Sequence, residues 1–392
     1  MQSPQIILKS GREVAVKRFH PWVFSGAVAQ TIGSPADGDI VEVFDSKKVY
    51  LATGHYFDGS IVVKIFSHQQ TEINVNFWQQ KLQNAYELRQ KLGLINTTCY
   101  RLVHGEGDGL PSLIIDVYDG VAVIQAHSVG MYRVLVDVAE ALKNIFGDTL
   151  KAIYQKSADT LPDQFGKTVQ NGYLFGQCTV PHAVTENSNS FMIDWETGQK
   201  TGFFIDQRDN RALLGRYSKN KKVLNAFCYS GGFSVYALAA GAAEVHSVDV
   251  SKKAIELTNQ NITANFGTIA NHQSYAEDVM PFLKNSTDDY DVIVLDPPAF
   301  AKNIAAKHRA VQGYKRLNIE GIKRLKPNGI LFTFSCSQVI DRELFYNTIV
   351  SAAIEAGRSV RVLHQITQPA DHPVSLFHPE GSYLKGLVLE VE

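Results

Sequence analysis

The chain has 392 residues, of which 45% are hydrophobic and 20% charged, and its formal net charge is −1. This composition predicts a globular protein of about two or three domains, and it excludes a protein that holds nucleic acid by its overall charge. The four cysteines are widely spaced without a C-x-x-C pair, which favours a reducing compartment and predicts neither disulfides nor a bound metal. Since no apolar segment reaches membrane-spanning length and the amino-terminal stretch lacks the apolar core of a signal peptide, we expect a cytoplasmic protein without membrane contact.

The first segment, residues 1–70, predicts a small β domain. The runs DIVEVFDSKKVYLATGHYF and SIVVKIFS are rich in β-branched and aromatic residues and are separated by typical turn residues. From Phe77 to Leu94 the apolar residues recur at helical spacing instead, and Gly93 lies near the end of this segment. We interpret residues 71–96 as a helical linker.

The next segment, residues 97–185, predicts a small α+β domain. LPSLIIDVYDGVAVIQAHS contains two strands with the turn Tyr118-Asp119-Gly120 between them, and Asp-Gly is a strong hairpin signal. MYRVLVDVAEALKNIFG follows as an amphipathic helix, and KAIYQKS as a further strand. A unit of this size is not expected to carry chemistry alone.

The last segment, residues 186–392, alternates strands with helices, which predicts a parallel, doubly wound α/β sheet. The predicted strands include KVLNAFCYS, EVHSVDV, YDVIVLDPP and GILFTFSCS. The final two, SVRVLHQI and LKGLVLEVE, have no helix between them, so we expect them to pair antiparallel.

Three features of this segment, a glycine turn and two aspartates, predict an adenosine site. Gly231 and Gly232 lie in the first strand–helix turn, NAFCYSGGFS, where the backbone can approach a ligand. Asp249 ends the next strand, the usual position of an acid that binds ribose hydroxyls, and Asp278 follows the third strand, where it can meet the adenine amine. A dinucleotide would also fit this pattern, but the G-x-G-x-x-G fingerprint is absent, which favours S-adenosylmethionine.

A second motif, LDPPAF, follows the fourth strand. Asp296 is followed by two prolines, which fix φ and cannot donate, so the carboxylate and nearby carbonyls are held at the end of the sheet. A stiff structural loop is the alternative interpretation. We favour a site because the first two strands already indicate an adenosine pocket.

The chain resembles the class I S-adenosylmethionine-dependent RNA methyltransferases. It is most similar to the bacterial 23S ribosomal RNA (cytosine-5)-methyltransferases that carry an amino-terminal PUA domain. The resemblance covers nearly the whole chain and is carried by GEGDGLPSLIIDVY, VTENSNSFMID, GQKTGFFIDQRDNR, NAFCYSGGFSVYAL, SVDVSKKAI, LDPPAF and FSCS.

The resemblance implies a Rossmann-like methyltransferase domain at residues 186–392, preceded by a β-barrel PUA module at 1–70 and the small α+β domain. It also implies these contacts to S-adenosylmethionine: Gln207, Phe227, Tyr229, Gly231, Asp249, Asp278 and Asp296.

Many RNA cytosine-5 methyltransferases have a cysteine directly after the proline of the fourth-strand motif, but this chain has Ala299 after Pro298. By resemblance to the single-cysteine members, Cys336 is the nucleophile and Asp296 its catalytic partner. Cys228 precedes the glycine turn and is expected to pack in the interior. Cys99 and Cys178 are expected to be core residues.

A basic run indicates an RNA partner. Residues 299–326 contain eight basic residues and one acid, Glu320, although a solvated helix face is the alternative. A smaller basic patch lies in the first domain. The predicted RNA contacts are Lys302, Lys307, Arg309, Lys315, Arg316, Lys9, Arg12, Lys17 and Arg18.

The first hypothesis is methyl transfer from S-adenosylmethionine to cytosine C5 in 23S ribosomal RNA through a cysteine adduct. The second is an RNA methyltransferase that acts on a purine or an exocyclic nitrogen and leaves Cys336 idle. The third is a non-catalytic RNA-binding protein, which the set Asp249, Asp296 and Cys336 disfavours. The sequence leaves the oligomeric state open between a monomer and a homodimer.

Overall fold

The amino-terminal half of the chain folds into the first of two units. A computed structural model of the chain describes residues 3–301 and 303–392. The first unit contains residues 1–182, 193–203 and 370–381, and the second contains 183–192, 204–369 and 382–392. Nowhere in the described ranges is a helix long and apolar enough to cross a bilayer.

The first unit begins with a mixed sheet whose strands, in spatial order, are the second, sixth, fifth, fourth, first and third. The fourth strand alternates buried and half-buried residues, and Val41 and Val43 point into the core. This sheet confirms the β domain predicted near the amino terminus. Its elements are β1 (Gln5–Leu8), α1 (Val14–Lys17), β2 (Trp22–Phe24), β3 (Val28–Ile32), β4 (Ile40–Phe44), β5 (Tyr50–Tyr56) and β6 (Ile61–Ser67).

A second sheet in the same unit confirms the predicted hairpin. Tyr118 pairs with Val121, and the two residues between them have positive φ, 47° at Asp119 and 85° at Gly120. Two consecutive positive φ values are the pattern of a type I′ turn, which matches the twist of the flanking strands. The elements are α2 (Val75–Lys91), β7 (Cys99–His104), β8 (Leu113–Tyr118), β9 (Val121–Ala126), α3 (Val129–Arg133), α4 (Leu135–Phe146), β10 (Ala152–Gln155), α5 (Asp163–Gly166) and β11 (Gly172–Gly176).

Helix α2 has its own buried stripe. Asn74 caps the helix by accepting a hydrogen bond from the Phe77 amide. Trp78, Leu82 and Ala85 are buried at helical spacing in the core that α2 shares with α4 and the second sheet. The predicted domain boundaries at residues 70, 96 and 185 stay predictions.

The remaining strands and helices of the described residues build a large sheet covered by helices. These elements are β12 (His182–Glu186), β13 (Asn189–Ile193), α6 (Arg208–Ser218), β14 (Lys222–Ala226), α7 (Gly232–Ala239), β15 (Glu244–Asp249), α8 (Lys252–Phe266), β16 (His272–Ala276), α9 (Val279–Asn285), β17 (Tyr290–Leu295), α10 (Lys307–Lys323), β18 (Leu325–Ser335), α11 (Arg342–Ala356), β19 (Val360–Ile366) and β20 (Lys385–Val391).

The second unit is built on a seven-stranded sheet, counted over its described residues, with the strand order β16-β15-β14-β17-β18-β20-β19, whereas β12 and β13 pair with each other. Pairing in the large sheet is parallel from β16 through β18, and β20 is antiparallel to both of its neighbours, as the sequence predicted for the last two strands.

Both faces of this sheet are covered, which explains why its strands read as continuous apolar runs. Leu331 of β18 joins the core that α10 and α11 complete. Phe332 and Phe334 of the same strand point to the opposite face of the sheet. There Phe332 contacts Tyr217 of α6, and Phe334 contacts Phe233 of α7. This is the Rossmann-like architecture that the sequence predicted.

A buried ion pair joins three elements of the second unit. Arg211 of α6 is 2.7 Å from the Glu186 carboxylate of β12, and both side chains are almost completely buried. The Tyr236 hydroxyl of α7 donates to the same carboxylate at 2.9 Å. Removing one partner of such a pair leaves the other charge buried without compensation.

We therefore predict that Arg211→Met lowers the free energy of unfolding by about 3–5 kcal/mol. The exposed Arg361, which pairs with Glu390 at 3.2 Å, is the matched control, and Arg361→Met should cost at most about 1 kcal/mol. Urea unfolding followed by circular dichroism measures both. Adding Glu186→Gln to Arg211→Met should restore part of the loss, whereas equal costs for the two arginine variants would contradict the argument.

Candidate functional site

The candidate site lies at the carboxyl ends of the parallel strands. Ala226, which ends β14, pairs with Val248 of β15 and with Leu295 of β17. Leu295 in turn pairs with Thr333 of β18. Because these strands end at nearly the same level, the loops that follow them begin side by side.

The turn after β14 has an uncommon backbone. Phe227, Tyr229 and Gly231 have positive φ values of 60°, 46° and 74°. Bulky residues rarely adopt this region, and such strain is concentrated at functional sites. At Gly231 a Cβ atom would lie 2.7 Å from Cγ2 of Thr258, so the turn requires glycine there.

Asp249 is hydrogen-bonded to this turn. Its Oδ2 accepts from the Tyr229 amide at 3.0 Å and its Oδ1 from the Ser251 amide at 2.9 Å. A carboxylate has about four acceptor positions, so both oxygens keep capacity for a hydroxyl donor. The structure thus brings together Tyr229, Gly231 and Asp249, three of the residues predicted to bind the cofactor.

Two residues that support the turn were missed in the sequence. Thr258 Oγ1 donates to the Tyr229 carbonyl at 2.8 Å, and Asn261 Nδ2 donates to the Ser230 carbonyl at 2.8 Å. Both lie on the buried face of α8. Their spacing of three residues on an otherwise apolar face was the available signal.

Cys228 is buried, as the sequence predicted, and its Sγ lies 3.6 Å from Thr258 Oγ1. Burial raises the pKa of the Cys228 thiol to about 12, which keeps it neutral and unsuited to nucleophilic attack. Cys99 is a core residue, but the same prediction for Cys178 is wrong, because Cys178 lies partly exposed between β11 and β12.

Asp296 directly follows β17 and is contacted by a second predicted residue. Gln207 Nε2 donates to Asp296 Oδ2 at 3.0 Å, and Asn210 Nδ2 donates to Gln207 Oε1 at 2.6 Å. Gln207 and Asn210 are buried, and their hydrogen bond fixes the orientation of the Gln207 amide that contacts Asp296. Asn210 is a further residue that sequence reasoning did not identify.

Cys336 directly follows β18, on the strand next to that of Asp296, and is partly exposed. The two loops that carry these residues are joined, because Ser337 Oγ donates to the Ala301 carbonyl at 2.6 Å. Neighbouring strands are about 4.8 Å apart, so the backbones of Asp296 and Cys336 leave the sheet close together.

Asp278 lies farther along the same end of the sheet. It is exposed and caps α9, with its Oδ1 accepting from the Met280 amide at 2.8 Å. Its strand, β16, neighbours that of Asp249. The adenine contact of Asp278 stays a prediction.

The basic residues of α10 differ in their surroundings, since some are exposed and others already have protein partners. Lys307 and Arg309 lie in the first turn of α10, and Arg309 is exposed. Lys315 instead forms an ion pair with Glu355 at 2.7 Å, and Arg316 Nε donates to the Gln312 carbonyl of its own helix at 3.3 Å. Lys302 lies outside the described residues.

The smaller basic patch lies around α1 in the first unit. Lys9 donates to the Gly26 carbonyl at 3.0 Å, and Lys17 is 3.5 Å from Asp45. Arg12 and Arg18 are exposed on either side of this helix. The patch is therefore partly neutralised.

A group in the first unit has the side chains of a metal site, although the sequence predicted none. The ligand atoms of His20, His378 and Glu380 lie within 4.8 Å of one another. His378 Nδ1 is 3.0 Å from the Glu380 carboxylate, and His20 Nδ1 accepts from the Trp22 amide at 3.1 Å. The Trp22 amide is thus a hydrogen-bond partner for His20, whereas His378 Nδ1 makes no hydrogen bond within the described residues.

Comparison with known proteins agrees with this geometry. Residues 100–381 match the family described as S-adenosylmethionine-dependent methyltransferase, and residues 6–68 match a PUA-like domain. Two curated relatives are named Ribosomal RNA large subunit methyltransferase I. The one from Tolumonas auensis is 39% identical across 99% of both chains, and the one from Shewanella amazonensis is 40% identical across 99% of this chain and 100% of its own.

Solved structures show the same fold. A Streptococcus mutans protein assigned as a SAM-dependent methyltransferase is 23% identical, with a TM-score of 0.84 over 98% of this chain and 99% of its own. A methyltransferase structure complexed with SAH is 24% identical, with a TM-score of 0.85 over 98% of this chain and 99% of its own.

We predict that Asp249→Ala lowers the affinity for S-adenosylmethionine by about two orders of magnitude. The reason is the loss of charged hydrogen bonds, each of which contributes about 1.5–3 kcal/mol. Isothermal titration calorimetry measures the affinity. Asp289→Ala is the control, because Asp289 is exposed and precedes β17 at the other end of the sheet. A folded Asp249→Ala protein with parental affinity would remove this residue from the site.

Proposed function

Because this chain belongs to the family of S-adenosylmethionine-dependent methyltransferases, we propose that it methylates C5 of a cytosine in 23S ribosomal RNA through an adduct with Cys336. The observation that carries the proposal is the position of Cys336. A partly exposed cysteine directly follows β18, the neighbour of the strand that Asp296 follows, and lies at the same end of the sheet as the Asp249 turn.

The relatives' names support large-subunit ribosomal RNA as the substrate, since this chain matches them over nearly its whole length. The PUA-like match and the basic first turn of α10 are further support. Lys307 and Arg309 would meet backbone phosphates next to the target nucleotide. The target base has to leave its stack to reach the thiol, at a cost of a few kcal/mol.

Cytosine C5 is a weak nucleophile until a group adds to C6. In the proposed first step the Cys336 thiolate forms a sulfur–C6 bond, and the electron pair of the C5–C6 double bond makes C5 enamine-like. The free thiol has a pKa of about 8.5, so its surroundings have to favour the thiolate near neutral pH.

In the second step C5 attacks the methyl group of S-adenosylmethionine. A C5–carbon bond forms while the bond between that carbon and the sulfonium breaks, which releases S-adenosylhomocysteine. The C5 proton then leaves to water, the sulfur–C6 bond breaks, and the double bond is restored. Cys336 returns as a thiolate.

Asp296 has the position to hold the base during these steps. Its carboxylate would accept from the exocyclic amine of cytosine or from N3–H of the adduct. Gln207 already donates to one carboxylate oxygen, which fixes the orientation of the group before the base arrives.

Two other functions remain alternatives with different consequences. A methyltransferase that acts on a purine or an exocyclic nitrogen would use Asp296 and its neighbouring carbonyls as acceptors and would need no thiol. A non-catalytic RNA-binding protein would bind RNA without methyl transfer. Covalent trapping and labelled methyl transfer together separate all three.

We predict that RNA with 5-fluorocytosine at the target position traps the parent protein covalently, because fluorine cannot leave C5 as a proton does. Cys336→Ala should bind S-adenosylmethionine and RNA normally, since the thiol is small. Its methyl transfer should fall close to the level without enzyme, and it should form no adduct. Denaturing gels and labelled methyl transfer measure the two properties.

Cys228→Ala is the matched control and should stay trappable, because this thiol is buried beside Thr258. Near-parental transfer by Cys336→Ala would end the cytosine-5 mechanism and favour nitrogen methylation. Absence of transfer from the parent to ribosomal RNA, together with RNA binding, would favour the non-catalytic alternative.

The basic turn of α10 gives a separate prediction. Lys307→Ala with Arg309→Ala should weaken RNA binding and reduce the slope of log affinity against log salt. The slope should fall by about 0.7 for each phosphate of a single strand that the variant no longer neutralises. Affinity for S-adenosylmethionine should stay unchanged. Filter binding at several salt concentrations gives the slope.

The control for this pair is Lys219→Ala with Lys221→Ala. These exposed lysines lie before β14, at the opposite end of the sheet, and their replacement changes the net charge equally. An equal slope in both double variants and the parent would mean that the α10 turn is a solvated surface.

A further inference from the structure

A buried lysine that the sequence analysis did not single out lies beside the candidate nucleophile. Lys385 is the first residue of β20 and pairs with Ser335, the last residue of β18. Only 4% of its surface is exposed. A buried ammonium is unfavourable without compensating bonds, so its environment has to provide them.

Those bonds go to the loop that carries Cys336. Lys385 Nζ donates to the Ser337 carbonyl and to the Ile340 carbonyl, each at 2.6 Å. The two carbonyls lie on either side of the turn after Cys336, and Ser337 also holds the loop of Asp296 through Ala301. Lys385 therefore fixes the backbone immediately after the candidate nucleophile.

Electrostatics links the same two side chains. Burial lowers the pKa of Lys385 to about 8, while Cys336 favours its charged form. Of the other charged groups that face Lys385, Arg342 opposes the ammonium and Asp341 favours it. Tyr314 of α10 faces Cys336 and Asp296. Since electrostatic coupling is reciprocal, an ammonium that is favoured by the cysteine also favours the thiolate.

We propose that Lys385 is a positioning residue for methyl transfer, which fixes the loop after Cys336 and keeps a positive charge beside the thiol so that it reacts as a thiolate. Its part in the reaction depends on the proposed function of Cys336. Its effect on the thiol does not, and this difference allows the two proposals to be tested separately.

The test is the rate at which iodoacetamide alkylates Cys336 between pH 6 and pH 9.5, resolved from the other cysteines by peptide mass spectrometry. Only the thiolate reacts, so the midpoint of the profile reports the thiol pKa. In the parent protein the midpoint should lie below about 8.5, the value of a free cysteine. A parental midpoint at or above that value would overturn the proposal whether or not any variant folds.

Variants separate charge from packing. Lys385→Met removes both charge and donors, and Lys385→Gln removes the charge but keeps a donor. In both, the midpoint should move up by about one unit, so that alkylation near neutral pH falls about tenfold and approaches the parental rate at high pH. Lys385→Arg keeps the charge and should restore the parental midpoint.

A purely structural role predicts a different outcome, in which the maximal rate changes while the midpoint stays at the parental value in every variant. That result would overturn the proposal. Methyl transfer and 5-fluorocytosine trapping are then measured on the same proteins. An upward shift of the alkylation midpoint, combined with a parent that RNA does not trap, would support the thiol effect and reject the cytosine-5 mechanism.

Discussion

The parallel pairing of β14, β15, β17 and β18 determines where Asp249, Asp296 and Cys336 lie. Parallel strands in register finish at one end of the sheet, so residues far apart in the sequence leave the sheet as neighbours. Asp249 and Asp296 flank the turn after β14 on its two sides, and Cys336 follows one strand farther on. A shift of one residue in any of these strands would turn its side chains to the opposite face and separate the set.

The sheet sets the positions, but hydrogen bonds from the helices set the conformations. The turn after β14 has three positive φ values, and α8 holds it with Thr258 and Asn261. Gln207 and Asn210, at the start of α6, orient the Asp296 carboxylate. In both cases buried polar side chains support a site residue from behind, which reduces the reorganisation needed when a ligand binds.

The sequence predicted the sheet, the antiparallel last pair, the Asp119-Gly120 hairpin and the candidate residues at strand ends, because each depends on local periodicity or turn chemistry. It did not identify Thr258, Asn261 or Lys385, since their partners lie far away in the chain. It also missed Asn210, whose role depends on the distant contact between Gln207 and Asp296. Nor could it show that Lys315 forms an ion pair with Glu355. Sequence reveals which residues are basic, while only the fold reveals which of them are already paired.

Lys385 illustrates why the direction of a single strand matters for the chemistry. Strand β20 is antiparallel to β18, so it begins where β18 ends, and its first residue lies opposite Ser335. If the final strand were parallel, its first residue would lie at the far end of the sheet, away from Cys336. The reversal therefore lets the carboxyl-terminal strand deliver a cation to the loop of the candidate nucleophile without a further loop insertion. The same topological feature that completes the sheet thus also provides a charge beside the thiol.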